Sequence, residues 1–482
     1  MTATEPHPVL RGSPYRAYVY AYPHKTAYRS FAPRALRDVW AGDPRDALFL
    51  YVHVPFCTMR CGFCNLFTTA NPKPDLVTFY LDALRRQAEA VREALPDARF
   101  TQMAIGGGTP TYLSESELAE LFDIVASVTG AGADATPAGV EVSPDTLTPG
   151  KVALLGARGV DRVSIGVQSF IEAEAANSGR PQSRTDVDAA LTLLAGAGFG
   201  TVNIDLIYGL PGQTVETWLY SLRAALRYEP EELYLYPLYV RPLTALGQSH
   251  KEWDDTRLAC YREARDVLLA AGYEQVSMRM FRTRNAERGT RSENPESARN
   301  AERGTRSESR EPASFIPRSA FRAPPLRYCC QDDGMVGLGC GARSYTRSLH
   351  YALDYAVRPK SVKGIIADYL ARTRAELATA DHGFALDDGE RRRRYLLQSV
   401  LNVEGLDVAR YVARFGCDPA ADFPDLHVFE EAGLVVLERV PREGTTHRTW
   451  RPTPLGLERS DALGPWFISD RVRTLMAGYE AK

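Results

Sequence analysis

Between residues 48 and 275 short apolar runs alternate with helical periods six times over, and few folds accept that order. Residues 48–53, 103–105, 139–142, 163–166, 202–206 and 233–236 read as strands, each followed by a helical segment. An amphipathic helix is predicted over 75–94, and another opens at Ser114 with Glu117 three positions on, the pattern of a capping box. Six consecutive βα units predict an α/β chain with a parallel sheet, either an open doubly wound sheet or a partial barrel; periodicity does not choose between them. In both, ligands gather beyond the C-terminal ends of the strands. The Gly-rich and Cys-rich segments fall in those places.

The remainder of the chain divides around this core at 48–281. Residues 1–47 form an N-terminal extension. Within 282–326 the ten residues from Arg284 to Glu293 recur unchanged from Arg299 to Glu308. That segment is polar and poor in apolar residues, which predicts a disordered surface insertion. Residues 327–375 form a Gly-rich loop and connection, and 376–482 a small unit. There, helices over 390–403, 408–415 and 424–432 precede a hairpin of 434–439 with 446–450, a winged-helix-like order. The run Arg391 to Arg394 is the one tight basic cluster in that unit and reads as a solvated helix face. With 58 Lys plus Arg against 60 Asp plus Glu, the formal net charge of −2 gives no global attraction to nucleic acid or to an anionic membrane. The first thirty residues lack a basic-then-apolar leader pattern, and no run of about 18 apolar residues occurs, so the expectation is a cytoplasmic protein with neither partner.

Eight cysteines are present, and Cys57, Cys61 and Cys64 fall close together in the spacing Cys-x3-Cys-x2-Cys. A 4Fe–4S cluster is usually held by four thiolates. Three close cysteines leave one iron without a protein ligand, open to a chelating small molecule. Structural zinc prefers paired Cys-x2-Cys or Cys/His ligands, and no fourth Cys or His follows nearby. Cys260 and Cys417 read as small buried hydrophobes. Cys329, Cys330 and Cys340 lie in the Gly-rich stretch without an assigned role.

The string from Tyr51 to Cys64, with Phe63 just before the last cysteine, resembles the cluster loop of the radical S-adenosylmethionine (SAM) superfamily. Gly106-Gly107-Gly108-Thr109-Pro110-Thr111-Tyr112-Leu113, Gly166-Val167-Gln168-Ser169-Phe170, Asn203-Ile204-Asp205-Leu206-Ile207-Tyr208-Gly209-Leu210-Pro211 and Gly337-Leu338-Gly339-Cys340-Gly341-Ala342-Arg343-Ser344 follow in order. Together they resemble the oxygen-independent coproporphyrinogen III oxidases and their relatives.

The resemblance implies a partial (β/α)6 radical SAM barrel with a small C-terminal winged-helix-like domain. Its cofactors would be a 4Fe–4S cluster on Cys57, Cys61 and Cys64 and SAM, one molecule or two. Gly107, Gly108 and Thr109 would flank the methionyl amino group, Glu141 would bind the amino or ribose groups, and Tyr51 and Phe63 would lie near the sulfonium. Gln168, Arg180 and Asp205 match positions that bind a second SAM. Arg343 stands where the oxidases carry an apolar residue, which implies an anionic group on the substrate or altered SAM binding.

The implied activity is formation of a 5′-deoxyadenosyl radical and oxidation, decarboxylation or methylation of a small-molecule substrate, driven by a one-electron reductant such as flavodoxin or ferredoxin. The oxidase sequence is not matched at Tyr328-Cys329-Cys330-Gln331-Asp332-Asp333. The heme-chaperone branch, the alternative, carries a His-Asn-x-x-Tyr-Trp segment before the Gly-rich loop; this chain has no histidine between His250 and His350.

Overall fold

The computed structural model describes residues 7–19, 21–130, 136–241, 243–248, 256–283, 332–442 and 445–480. Residues 284–326 of the repeat-bearing insertion, Cys329 and Cys330 lie outside the described residues, while Arg282 and Thr283, expected to open that insertion, instead end the strand Met280–Thr283. Six strands pair parallel in chain order: β1 (Leu48–Val54), β2 (Phe100–Gly107), β3 (Ala138–Val142), β4 (Val160–Gln168), β5 (Thr201–Tyr208) and β6 (Glu232–Pro237). A seventh parallel strand, β7 (Met335–Leu338), joins the other side of β1 with Met335 opposite Phe49.

Antiparallel strands complete both edges. Met280–Thr283 and Tyr273–Gln275 lie beyond β6; Arg343–Tyr345, Leu349–Ala352, Thr379–Ala385 and Arg29–Ala35 lie beyond β7. Among the described residues the outermost strands of this 13-stranded sheet do not pair with each other, so the result is a partial barrel rather than a closed one.

Helices α1 (Pro74–Ala94), α2 (Glu115–Thr129), α3 (Pro149–Ala157), α4 (Arg184–Gly196), α5 (Val215–Leu226) and α6 (Arg257–Ala270) return the chain between strands, and α7 (Pro359–Ala371) packs beside α1. The start of α2 is fixed locally: Glu117 N–H donates to Ser114 Oγ (3.3 Å) while Ser114 N–H donates to Glu117 Oε2 (2.8 Å).

Alternation along the strands separates two faces. Leu50, Val52, Val140, Ile165, Ile204 and Leu235 belong to the main hydrophobic core. Their neighbours Tyr51, Glu141, Ser164, Asn203, Asp205 and Tyr236 take the opposite face. Parallel strands covered on both sides ordinarily read as unbroken apolar runs. A polar inner face instead marks a barrel whose interior accepts a ligand. Deeper in, Phe49, Ala104, Met335 and Tyr345 pack together beneath Tyr51 and close the floor.

The C-terminal region carries helices Asp388–Val400, Val408–Phe415 and Asp425–Glu431 and a three-stranded sheet with Thr445–Pro452 between Leu406–Asp407 and Val435–Arg442, a winged-helix-like arrangement. A second hydrophobic core unites Leu396, Tyr411, Phe429 and Trp450 of this region with Val9, Tyr22 and Tyr28 from the start of the chain.

The arginine run departs from expectation: it is not a solvated face. Arg391 pairs with Asp388 (2.9 Å), Arg392 with Asp422 (2.6 Å), and Arg393 donates to the Phe467 carbonyl (3.1 Å). Arg394 is 2% exposed and bonds both Asp333 and the Tyr22 carbonyl at 2.9 Å. Cys417 is only half-buried, packing against the second core while meeting Arg392 and Asp422, whereas Cys260 is fully buried. Among the described residues no helix is long and apolar enough to cross a membrane.

Candidate active site

Past the end of β1 the chain turns at Pro55 and carries Cys57, Cys61 and Cys64 on one loop, all three half-buried free thiols. The loop is fastened from several sides. Gly108 N–H donates to the Val54 carbonyl and Thr109 N–H to the Phe56 carbonyl, both at 2.7 Å, which ties it to the glycine turn after β2. Gly62 N–H donates to the Ser178 carbonyl (3.0 Å), and Leu246 N–H to the Gly62 carbonyl (2.9 Å). Phe63 rests on Ile207, Leu210, Leu238 and Leu246, so its ring anchors the loop on the ends of β5 and β6.

Each sulfur has a polar neighbour of its own. Thr109 Oγ1 lies 3.6 Å from Cys57 Sγ, Arg180 Nη1 3.4 Å from Cys61 Sγ, and Thr68 Oγ1 3.8 Å from Cys64 Sγ. Burial pushes the Cys57 thiol up to about 12 and raises that of Cys64, so thiolate ligation must expel protons. The three thiols lie close enough to interact electrostatically. A 4Fe–4S cluster is held by thiolates on its separate irons, and these three offer a ligand to three of the four. The donor set fits the cluster.

The glycine turn needs its three glycines for three different reasons. A Cβ on Gly106 would lie 2.8 Å from the Glu141 carboxylate, one on Gly107 2.5 Å from the His53 ring, and one on Gly108 2.6 Å from the Phe56 carbonyl. Gly107 also holds φ +112°, a conformation open to glycine. Its N–H donates to Glu141 Oε2 at 3.1 Å. Glu141 touches solvent while protein rings it at longer range, as on a cavity wall, and desolvation raises its carboxyl pKa.

The far wall is built from β4 and β5. Gln168, a non-glycine residue at φ +69°, ends β4 where the pairing with β5 slips by one residue between Gly166 and Gln168. Strain of that kind persists where the surroundings enforce it, commonly at ligand sites. Arg180 bridges this strand end to the cysteine loop, donating from Nη2 to the Gly166 carbonyl (2.7 Å) and Ser143 Oγ (3.1 Å). Asp205 accepts a bond from Asn203 Nδ2 (2.7 Å); desolvation pushes its carboxyl up to about 7, with the Glu141 charge adding to the rise.

Arg343 opens the strand after β7, its guanidinium near the Tyr345 ring and close enough to His24 and His53 to help lower both, after desolvation and the Lys25 charge. Cys340 is fully buried, and burial pushes its thiol up to about 12; it packs in the core rather than facing the thiol loop.

Two features were passed over in the sequence. His53 is wedged between loops: a Cβ on Gly341 would lie 2.7 Å from its Nε2, which donates to the Phe67 carbonyl at 2.9 Å. Burial lowers its pKa to about 4 and keeps it neutral. Tyr234 and Tyr236 stack (centroids 5.9 Å apart) on the inner face of β6. Strand alternation, which puts His53 on the face of Tyr51 and both tyrosines opposite Leu233 and Leu235, was the signal for all three. A separate cleft of about 180 Å³, lined by Asp43, Asp333, Arg347 and Arg414, sits at the N-terminal ends of β1 and β7, away from these loops.

Residues 51–225 match the model of the radical SAM superfamily. The heme chaperone HemW of Bacillus subtilis is 31% identical over 242 residues, 48% of this chain and 62% of that protein. The oxygen-independent coproporphyrinogen III oxidase of Salmonella typhimurium is 30% identical over 276 residues, 55% of this chain and 60% of that protein. The matched segment thus spans about three-fifths of the length of these relatives. The solved structure of coproporphyrinogen III oxidase (HemN) from Escherichia coli superposes with a TM-score of 0.72, covering 94% of this chain and 97% of that one at 22% identity, a likeness of fold.

Proposed function

We propose that this chain is a member of the radical SAM superfamily, related to the oxygen-independent coproporphyrinogen III oxidases and to HemW, and an enzyme acting on a small molecule. Its reaction is the oxidation, decarboxylation or methylation of that substrate. The observation that carries the reading is the meeting of three free thiols with the polar inner face of the barrel at the C-terminal strand ends. When bound, the reduced cluster and SAM together supply a 5′-deoxyadenosyl radical.

The chain's own residues would do the rest. Cys57, Cys61 and Cys64 would each hold one iron. Gly107 and Glu141 would bind the cationic and ribose ends of SAM, the carboxylate steadied by the Gly107 N–H. Tyr51 and Phe63 would shield the sulfonium from water, and Gly108 with Thr109 would fix the loop against its neighbour. Gln168, Arg180 and Asp205 would receive a second SAM, and Arg343 would face an anionic group of the substrate. Anaerobic reconstitution with iron and sulfide, then dithionite and SAM, should give 5′-deoxyadenosine. Cys61→Ala should lose both the broad visible absorption and that product. A fully loaded, active Cys61→Ala protein would sink the assignment.

The identity to HemW favours a second reading, heme carriage. Tight one-to-one heme binding by a cluster-loaded protein that makes no 5′-deoxyadenosine would select it.

A further inference from the structure

The chain is sparing with lysine: of 58 basic residues only seven are lysines, the others arginine. Three of the seven, Lys73, Lys360 and Lys363, are exposed beside the thiol loop, with Arg358 among them. Lys73 caps α1 and Arg358 caps α7. Arg86 of α1 donates to the Leu370 carbonyl of α7 (2.8 Å), and Tyr369 donates to Gln87 (2.9 Å). Just past the end of α7, Arg374 reaches Glu89 (3.3 Å) and Glu93 (2.6 Å) further along α1, so the two helices run side by side in the same direction. Their N-termini therefore meet next to Thr69–Ala70, the strand paired with Phe56–Cys57. Tyr355 locks the same corner by donating to the Asn65 carbonyl at 2.7 Å, and Lys25, a fourth lysine, covers its ring at 3.6 Å. Next to Asn65 and two residues past Cys64, Leu66 is 47% exposed.

Cations at helix N-termini oppose the helix dipole and destabilise the first turn. The first turn of α7 carries no acid to offset them, and α1 offers Asp75 alone. None of Lys73, Arg358, Lys360 and Lys363 makes an ion pair among the described residues. A local rule broken without an internal gain marks a place shaped by a partner. Lysine suits such a partner, because mobile, strongly hydrated charges favour fast and transient docking.

We infer that this face, Lys73, Arg358, Lys360 and Lys363 with the exposed Leu66, docks an acidic one-electron carrier protein that delivers the electron through the thiol loop. The inference rests on the enzyme reading above, which requires an external electron. It adds where that electron enters and what charge its carrier presents. An interface of this kind is small and salt-sensitive.

The test compares two reductants on the full, cluster-loaded protein. The parent and a Lys73→Glu/Lys360→Glu/Lys363→Glu variant are driven either by dithionite or by reduced flavodoxin, an acidic FMN protein. With flavodoxin, kcat/KM for 5′-deoxyadenosine should fall about tenfold or more, carried by KM. The parent should show a comparable loss between about 50 and about 500 mM salt. With dithionite both proteins should run alike, and thermal stability should hold or rise, since glutamates suit helix N-termini. Equal losses with both reductants, or an unaltered flavodoxin KM, overturn the inference. So does retention of the parent alone on anionic vesicles or RNA with unaltered flavodoxin kinetics. A parent inert with dithionite would sink the enzyme reading instead. Titration with oxidised flavodoxin then decides the surface: weaker binding by the variant supports it, and equal binding overturns it.

Discussion

Gly107 answers three demands at once: a left-handed backbone at φ +112°, an N–H aimed at Glu141, and no Cβ where the His53 ring lies. Gly107→Ala should therefore cost about 1–3 kcal/mol of stability. It should also lower iron retention, since His53 and the thiol loop must shift. Gly130→Ala is the matched control. Its φ is +70°, but open space surrounds it, so it should cost about 1 kcal/mol and spare the iron content. Thermal unfolding with iron analysis of both variants checks the pair.

Asp205 yields a prediction in pH. Its folded pKa of about 7 lies above the ordinary 3.8, so the folded state favours the protonated acid. Stability from this group is present below the unfolded pKa and is lost as pH rises towards the folded one. Asp205→Asn, an isostere of the protonated acid, should match the cofactor-free parent near pH 4. It should become progressively more stable up to about pH 7, with a level gap above that. A gap constant across pH in denaturant melts would contradict the assignment. Cationic SAM favours the carboxylate, so its affinity for the parent should rise over the same range, and Asp205→Asn should lose that rise.

At the scale of elements, the two-way bond of Ser114 and Glu117 starts α2, and Ser114→Ala should cost about 1 kcal/mol, read as a lowered denaturation midpoint with unaltered iron content. That cap was legible in the sequence because its parts lie three residues apart. The six parallel strands were legible for a similar reason, since alternation is local. Strand β7 was not: four residues containing Gly337 show no useful period, and pairing with β1 is a long-range event. The Arg391–Arg394 run misled because Asp422, Phe467, Asp333 and Tyr22, the partners of Arg392, Arg393 and Arg394, are distant in sequence. At the site, the thiol spacing was readable from the residues alone. The bridge from Arg180 to Cys61 and the seat of His53 required the folded chain.

At the scale of the molecule, one buried and one half-exposed ion pair join the winged-helix-like region to the barrel. Arg279 and Asp461, 6% and 2% exposed, meet at 2.5 Å, and Arg262 grips Glu458 through two bonds of 2.7 and 2.8 Å. Removing one partner strands a buried charge, so Asp461→Ala should cost about 3–5 kcal/mol. An added Arg279→Met change should recover a large part of that loss in the double variant. Urea unfolding of the two singles and the double closes the cycle; additive losses would mean that the pair is not coupled.

The wedge of His53 between Gly107 and Gly341 also sets a timetable. On the ribosome the thiol loop emerges long before residue 341, by about 15–60 seconds at 5–20 residues per second. Throughout that interval β1 has an open flank and the imidazole half a seat. Cofactor loading therefore belongs after synthesis, when the last parallel strand arrives. Nascent chains stalled before Met335 should carry little iron, and released full-length chains should load it readily. Iron retained equally by both would show that the loop is competent without its far wall.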